Sequence, residues 1–385
     1  MRGDIRATTD APGPARRRAI PWGLVGMVAL VAAIESLATR HRDEFAAPIT
    51  DHFEASGRAA RSESAGRDLL FFGDSVVKFG VIPRLIEERT GLRGYNLATI
   101  ANPAPASYVL LRRALEAGAR PRAIFVDFKP ILLAQHLPDL PSMARIADLR
   151  DGLELAWTAR DPDFFGSFAM SRALPTFRDR LAIRSWLVRS LRAETDPERP
   201  GLEARRANRE VNQGAQVIPP NPMAATTPEF PNEGFNLRPD WSCDPINAAY
   251  VARFFRLAAG HGIPAFWLIT PVHPRLQAGR DRIGIDAALT RFIRDRAEAE
   301  GVTVVDARRL GLDPDLFVDA THLDRRGAVA LSAALADFLG RPDALGRGGR
   351  WVVLPPRARP ADDRRLQDID QTGLALRRES DARRR

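Results

Sequence analysis

Leu69-Leu70-Phe71-Phe72-Gly73-Asp74-Ser75 is an apolar run that ends in Gly-Asp-Ser. Four consecutive large apolar residues suit a strand buried on both faces, as inside a parallel sheet. A glycine at its end permits a sharp turn, presenting the next side chains at the carboxyl edge, where open α/β folds carry their sites. Far along the chain, Asp319-Ala320-Thr321-His322 stands just ahead of a helical pattern. Singly, each segment has an ordinary reading: Gly-Asp-Ser as a turn or cap, Asp319 as an N-cap, His322 as a packed side chain. Together they supply a hydroxyl nucleophile, a base and a carboxylate to orient it.

Outward from the first strand, apolar runs at 94–98, 123–128, 264–270 and 302–306 alternate with helical patterns near 80–90, 104–118, 285–300 and 325–339. Pro105 suits a first helical turn and Gly118 a stop. Such alternation predicts a parallel sheet covered by helices on both faces. It stops between residues 131 and 244, where helices are expected over 146–157 and 177–192 and an irregular stretch from Pro219 to Pro239. Long connections of this kind act as lids or binding elements. Trp241 and Phe235 have two readings, stacking on a sugar ring or anchoring the insertion to the core.

The order and spacing of these pieces resemble the SGNH/GDSL hydrolase superfamily, whose first block carries Gly-Asp-Ser and whose last carries Asp-x-x-His. The resemblance covers residues 69–130 and 260–340. It implies Ser75 as nucleophile, His322 as general base and Asp319 as its orienting carboxylate. The fold expected is α/β, a three-layer α/β/α sandwich with a parallel, flavodoxin-like sheet of about five strands plus the insertion. A second block, Asn96-Leu97-Ala98-Thr99-Ile100-Ala101-Asn102, keeps the family's Asn and puts Ala101 where the family has an oxyanion-binding Gly. The Ala101 amide still donates if its backbone reaches the angles Gly adopts readily. Asn102 is a second candidate donor, alongside the Ser75 amide.

The third block departs further, with Val126-Asp127-Phe128-Lys129-Pro130 replacing Gly-x-Asn-Asp and its side-chain oxyanion donor. Lys129 is the candidate substitute, against the plain reading of a surface lysine. Only Lys78 and Lys129 are lysines among the 57 basic residues, and both follow strand ends. Lysine is a compact point charge, unlike the planar guanidinium. Asp74, Asn96, Lys78 and His273, the last in the loop after the fourth strand, complete the candidate site residues.

The 385 residues, 45% of them hydrophobic, suffice for one large core with an anchor and a tail besides. The net charge of +9 invites a nucleic-acid reading, yet no basic stripe with interleaved aromatics occurs, so no nucleic-acid partner is expected. One cysteine, Cys243, forms no intrachain disulfide, and six scattered histidines lack ligand spacing. No metal or cofactor is expected.

Arg16-Arg17-Arg18 precede an uncharged, largely apolar run from Ala19 to Ile34 that continues to Ala38. The run reads as an uncleaved signal anchor over 19–38 or as a secretory signal with Ser36-x-Ala38 as its cleavage site. The basic flank favours a cytoplasmic segment 1–18 and an extracytoplasmic domain, with the membrane as partner through one helix. Residues 39–67 read as a juxtamembrane stalk, 68–340 as the domain, and 341–385, with 12 Arg against 7 acidic residues, as a basic tail expected to be disordered.

Acyl transfer through Ser75 is the chemistry that the resemblance implies. With water as acceptor the chain is an esterase; with a sugar hydroxyl, an O-acyltransferase. An acyl-ester substrate on a carbohydrate or cell-envelope polymer suits the expected address. The other reading is a catalytically inactive polysaccharide-binding or envelope-assembly protein of the same fold.

Overall fold

The apolar runs form short strands: β1 (Leu69–Phe72), β2 (Gly94–Asn96), β3 (Ala123–Val126), β4 (Ala265–Ile269), β5 (Thr303–Asp306) and β6 (Trp351–Val353). A computed structural model, which describes residues 22–45, 48–192, 194, 199–223, 240–346, 348–357 and 366–384, joins them in one sheet. The order is β2-β1-β3-β4-β5-β6, with every pairing parallel. This is the flavodoxin-type doubly wound order with a sixth strand added at the edge. Register is set in β1, where Leu70 lies beside both Tyr95 and Ile124.

Three helices precede the sheet: α1 (Trp22–Arg40), α2 (Arg42–Phe45) and α3 (Pro48–Ser62). Between β1 and β3 lie α4 (Ser75–Gly80), α5 (Pro83–Thr90) and α6 (Ala104–Glu116). The insertion supplies α7 (Pro130–Leu133), α8 (Leu140–Ile146), α9 (Leu149–Ala159), α10 (Pro162–Ala173), α11 (Pro175–Arg178), α12 (Arg180–Leu191) and α13 (Arg199–Val211). The chain returns through α14 (Pro245–Gly260), α15 (Pro274–Arg282), α16 (Ile285–Glu300), α17 (Arg325–Leu339) and α18 (Ile369–Arg384). The helix expected near 80–90 is α5, which Pro83 starts, and a further short helix, α4, precedes it. Pro83 at the first turn of α5 holds Ile82 extended and breaks the run.

The strand pleat divides the interior into two layers. Leu70, Phe72, Ile124, Val126 and Trp267 face a core shared with α3, α6, α14 and α16. Their alternates Leu69, Phe71, Phe125, Phe266 and Leu268 face α4, α5 and α17. In the second layer Phe71, Phe125 and Phe266 stack across three strands at ring separations of 5.3 and 4.6 Å. The result is a three-layer α/β/α sandwich.

Three expectations need correction. The sheet has six strands, not about five: Trp351-Val352-Val353 pairs with β5, Val304 lying beside Trp351. The stretch 341–385 is therefore structured where described, with Leu354 and Leu366 buried and α18 packed on α13. Composition misled here because the surrounding charges outweigh the short apolar run Trp351-Val352-Val353-Leu354 and the lone Leu366, each of which packs against elements distant in the chain. Residues 48–62 of the expected stalk likewise belong to the domain. Helix α3 buries Phe53, Ala59 and Ala60 against α6 and α8, and Glu54 accepts a hydrogen bond from Arg145 Nε at 3.1 Å.

Leu366 shares a small cluster with Ile82, Leu85, Val217 and Val329. Leu366→Ala should therefore lower unfolding stability by about 2–4 kcal/mol, read as a shift in denaturant midpoint. An unchanged midpoint would show that the segment does not dock.

Candidate active site

Gly73 lets β1 turn onto α4. Its φ of +132° and the position of a would-be Cβ, 2.8 Å from the Asp127 carbonyl oxygen, exclude any side chain. Asp74 caps α4, its carboxylate accepting from the Val76 amide at 3.1 Å. This places Ser75 at the first helical position, where its amide has no intrahelical acceptor.

The second half of the site is a closed loop after β5. Phe317 pairs with Leu323, and the Val318 amide donates to the His322 carbonyl at 2.9 Å. Within it Asp319 Oδ1 accepts from the amides of Thr321 and His322 at 2.8 and 2.7 Å. Its other oxygen lies 2.6 Å from His322 Nδ1, and His322 Nε2 lies 2.7 Å from Ser75 Oγ. A carboxylate on Nδ1 keeps the proton there, leaving Nε2 to accept from the serine hydroxyl. Burial pushes the Asp319 carboxyl up, but its hydrogen bond and attraction to His322, with the two amides, outweigh burial and hold it below the usual range. Asp319 is not a helix cap; Asp324 caps α17 by accepting from Gly327 N at 2.9 Å.

Ser75, His322 and Asp319, 247 residues apart at the extremes of the fold, are thus brought into one hydrogen-bonded chain. The oxyanion candidates divide. Ala101 has φ +51°, the left-handed conformation that its Gly-like position requires, and its amide makes no hydrogen bond among the described residues. Asn102 does not serve as expected. Its amide donates to the Gly73 carbonyl at 2.8 Å and to Ser107 Oγ at 2.9 Å, leaving neither hydrogen for an oxyanion. Lys129 is half-buried beside the Asp319–His322 loop, its Nζ donating to Thr321 Oγ1 at 3.2 Å.

Of the remaining candidates, Asn96 and His273 hold backbone in place and Lys78 does not. Asn96 donates to the carbonyls of Val77 and Val81 at 2.9 and 2.8 Å, which fixes the end of α4. His273 caps α15 by accepting from Arg275 N, and its own amide donates to Ala320 O at 2.9 Å, bracing the Asp319–His322 loop. Lys78 is walled in beneath α3, 3.5 Å from Ser56 Oγ and 1% exposed, so it offers nothing to a substrate. Burial, then repulsion from Arg209, holds its amine well below the usual lysine range. Proximity in sequence to Ser75 suggested a site role; the helix turns Lys78 inward instead. Trp241 anchors the insertion, its indole donating to Pro130 O at 2.9 Å and its ring meeting Phe292 edge-on. Phe235 lies outside the described residues.

Several contributors escaped the sequence reading. Phe79 sets its ring edge-on to His322 at 5.3 Å, and Asn221 Nδ2 donates to Val318 O at 2.9 Å, tying the returning insertion to the loop that carries Asp319 and His322. Only their spatial neighbours reveal them. Asp127 follows β3 directly, a signal that was present in the altered third block. Its carboxylate accepts from the Thr270 amide at 3.1 Å and hydroxyl at 2.5 Å. Two hollows lie elsewhere, at the amino ends of β4 and β5 and between α9 and α10, and neither is lined by a triad member.

No family model matches this chain. No curated protein matches it either. Geometry and the motif resemblance therefore carry the functional reading.

Burial and the neighbouring Asp74 charge push Asp127 up to about 7, against the opposing pull of its Thr270 hydrogen bonds and Lys129. A carboxyl raised on folding stabilises the protein below its unfolded value and loses that contribution as pH rises through about 7. Asp127→Asn should hence gain stability relative to wild type as pH rises from about 4 to 7, by at most about 4 kcal/mol, with a constant gap above. Thermal melts across that range test this; parallel curves would remove the shift.

Proposed function

We propose that this chain is a serine acyl-ester hydrolase or O-acyltransferase of the SGNH kind. The observation that carries the reading is the continuous chain from Asp319 through both nitrogens of His322 to Ser75 Oγ at 2.6 and 2.7 Å, set at the carboxyl edge of the sheet. The site lies beside the switch between β1 and β3, where doubly wound sheets bind ligands.

In the mechanism Ser75 Oγ attacks an ester carbonyl while His322 Nε2 takes its proton. Asp319 steadies the imidazolium, and the amides of Ser75 and Ala101 receive the developing oxyanion. His322 then returns the proton to the leaving alcohol. The acyl-enzyme breaks down as water, or a sugar hydroxyl, repeats the attack in reverse. Lys129 adds positive charge on the same edge, in place of the missing side-chain donor.

The address supports a substrate at the cell envelope. Helix α1 is long and apolar enough to cross a membrane, and none of its side chains is buried in the protein. With Arg16-Arg17-Arg18 on its amino side, it orients the domain outside the cytoplasm. The substrate class we infer is an O-acyl group, acetyl foremost, on a carbohydrate or envelope polymer.

A fluorophosphonate probe should label wild type and fail on Ser75→Ala. A folded wild type that takes no label would favour the inactive, polymer-binding reading. Lys129→Ala should lower turnover of an activated acetyl ester about 100-fold, the cost of one oxyanion donor, while labelling persists. Lys129→Arg should rescue poorly because the planar guanidinium does not occupy an ammonium's position. Undiminished turnover in Lys129→Ala would assign the oxyanion to backbone amides alone.

A further inference from the structure

Helix α12 carries Arg180, Arg184 and Arg189, with Arg192 next, and no acidic residue among them. Its large apolar residues are turned outward: Leu191 is 86% exposed, Leu181 72%, and Leu187 and Val188 are also exposed. Positions 181, 184, 188 and 191 recur at three- and four-residue intervals, so Leu181, Val188 and Leu191 share one face with Arg184. Trp186 points the other way and meets Phe45 of α2 edge-on at 6.4 Å. A helix that exposes leucine and arginine together is poorly suited to water and well suited to the boundary of a bilayer. There leucines enter the acyl region and arginines reach phosphates along their apolar stems.

The fold places α12 at that boundary. Apolar residues Trp22 to Ile34 make roughly 20 Å of helix, less than the ~30 Å hydrocarbon core. A span shorter than the core is met by thinning of the bilayer around it and by snorkelling of its flanks, which keeps the charged Glu35 at the boundary. The Glu35 carboxylate accepts from the Thr176 amide at 2.9 Å and from the Thr176 hydroxyl, which seats α11 at the level where the apolar segment ends. Helix α12 begins two residues after α11, and its Trp186 packs on the segment that follows α1. Both attachments hold α12 within reach of the emerging span.

The geometry points to α12 as an interfacial helix that lies on the surface of an anionic lipid bilayer and fixes the tilt of the domain. This rests on the reading of α1 as a span, and one experiment separates the two. Full-length protein carrying Cys243→Ala is reconstituted into vesicles of phosphatidylcholine with phosphatidylglycerol. Leu187→Cys and Leu191→Cys variants are labelled with a fluorophore. Shallow doxyl-lipids should quench both probes at least about twofold, with aqueous iodide ineffective. Replacing Arg180, Arg184 and Arg192 by Gln should lower lipid quenching to its level on pure phosphatidylcholine. Iodide quenching without lipid quenching, while α1 resists alkaline extraction, would overturn the interfacial helix and leave the span standing. Probes shielded from both quenchers would show protein covering the face, which also overturns it. Release of the chain by alkaline carbonate would remove the span, and this inference with it.

Discussion

Gly73 is where three strand ends are joined. Its lack of a side chain admits the Asp127 carbonyl into the space a Cβ would occupy, so the ends of β1 and β3 approach without a gap. Its carbonyl oxygen accepts from the Thr99 amide at 3.0 Å and the Asn102 side chain at 2.8 Å, which draws the loop after β2 across the start of α4. That one backbone oxygen ties the loop carrying Ala101 to the turn that leads into Ser75. A side chain at 73 would push the turn leading into Ser75 away from β3 and from the loop carrying Ala101.

Beneath the site lies a buried charged layer. Asp51 accepts from Arg209 at 2.5 Å and Arg206 at 2.9 Å, and these contacts overcome burial to hold its carboxyl below the usual range. His52 stays neutral through burial and the nearby Lys78, Arg209 and Arg205, and Phe79 stands between His52 and His322 with its ring edge-on to both. Pairs desolvated in this way contribute little net stability, but loss of one partner is costly because the other is left charged and buried. Such a layer fixes the approach of α3 and α13 to α4, and thereby the floor under His322.

The insertion is a brace. Asp151 of α9 accepts from Arg113 of α6 at 2.6 Å, and Arg145 of α8 joins Glu54 of α3 to Asp179. Through Glu35 and Thr176 the same body grips α1. The position of the domain relative to α1 is hence set by the insertion rather than by a free tether.

Local sequence determined five of the six strands, the alternation that makes a parallel sheet, and the two motifs that meet as Ser75 with Asp319 and His322. These are legible because four apolar residues in a row and an Asp-x-x-His turn act within a few residues of themselves. Tertiary structure alone decided the rest. Lys78 and Lys129 look alike in sequence, but one is packed beneath α3 and the other reaches Thr321. Asn102 resembles a free donor until Gly73 and Ser107 take both its hydrogens. Leu354 and Leu366 sit in a charged tail whose composition argues against order, and find hollows made by helices distant in the chain. Each outcome depends on which side chain another element brings within hydrogen-bonding or van der Waals range, and that distance is absent from any local pattern.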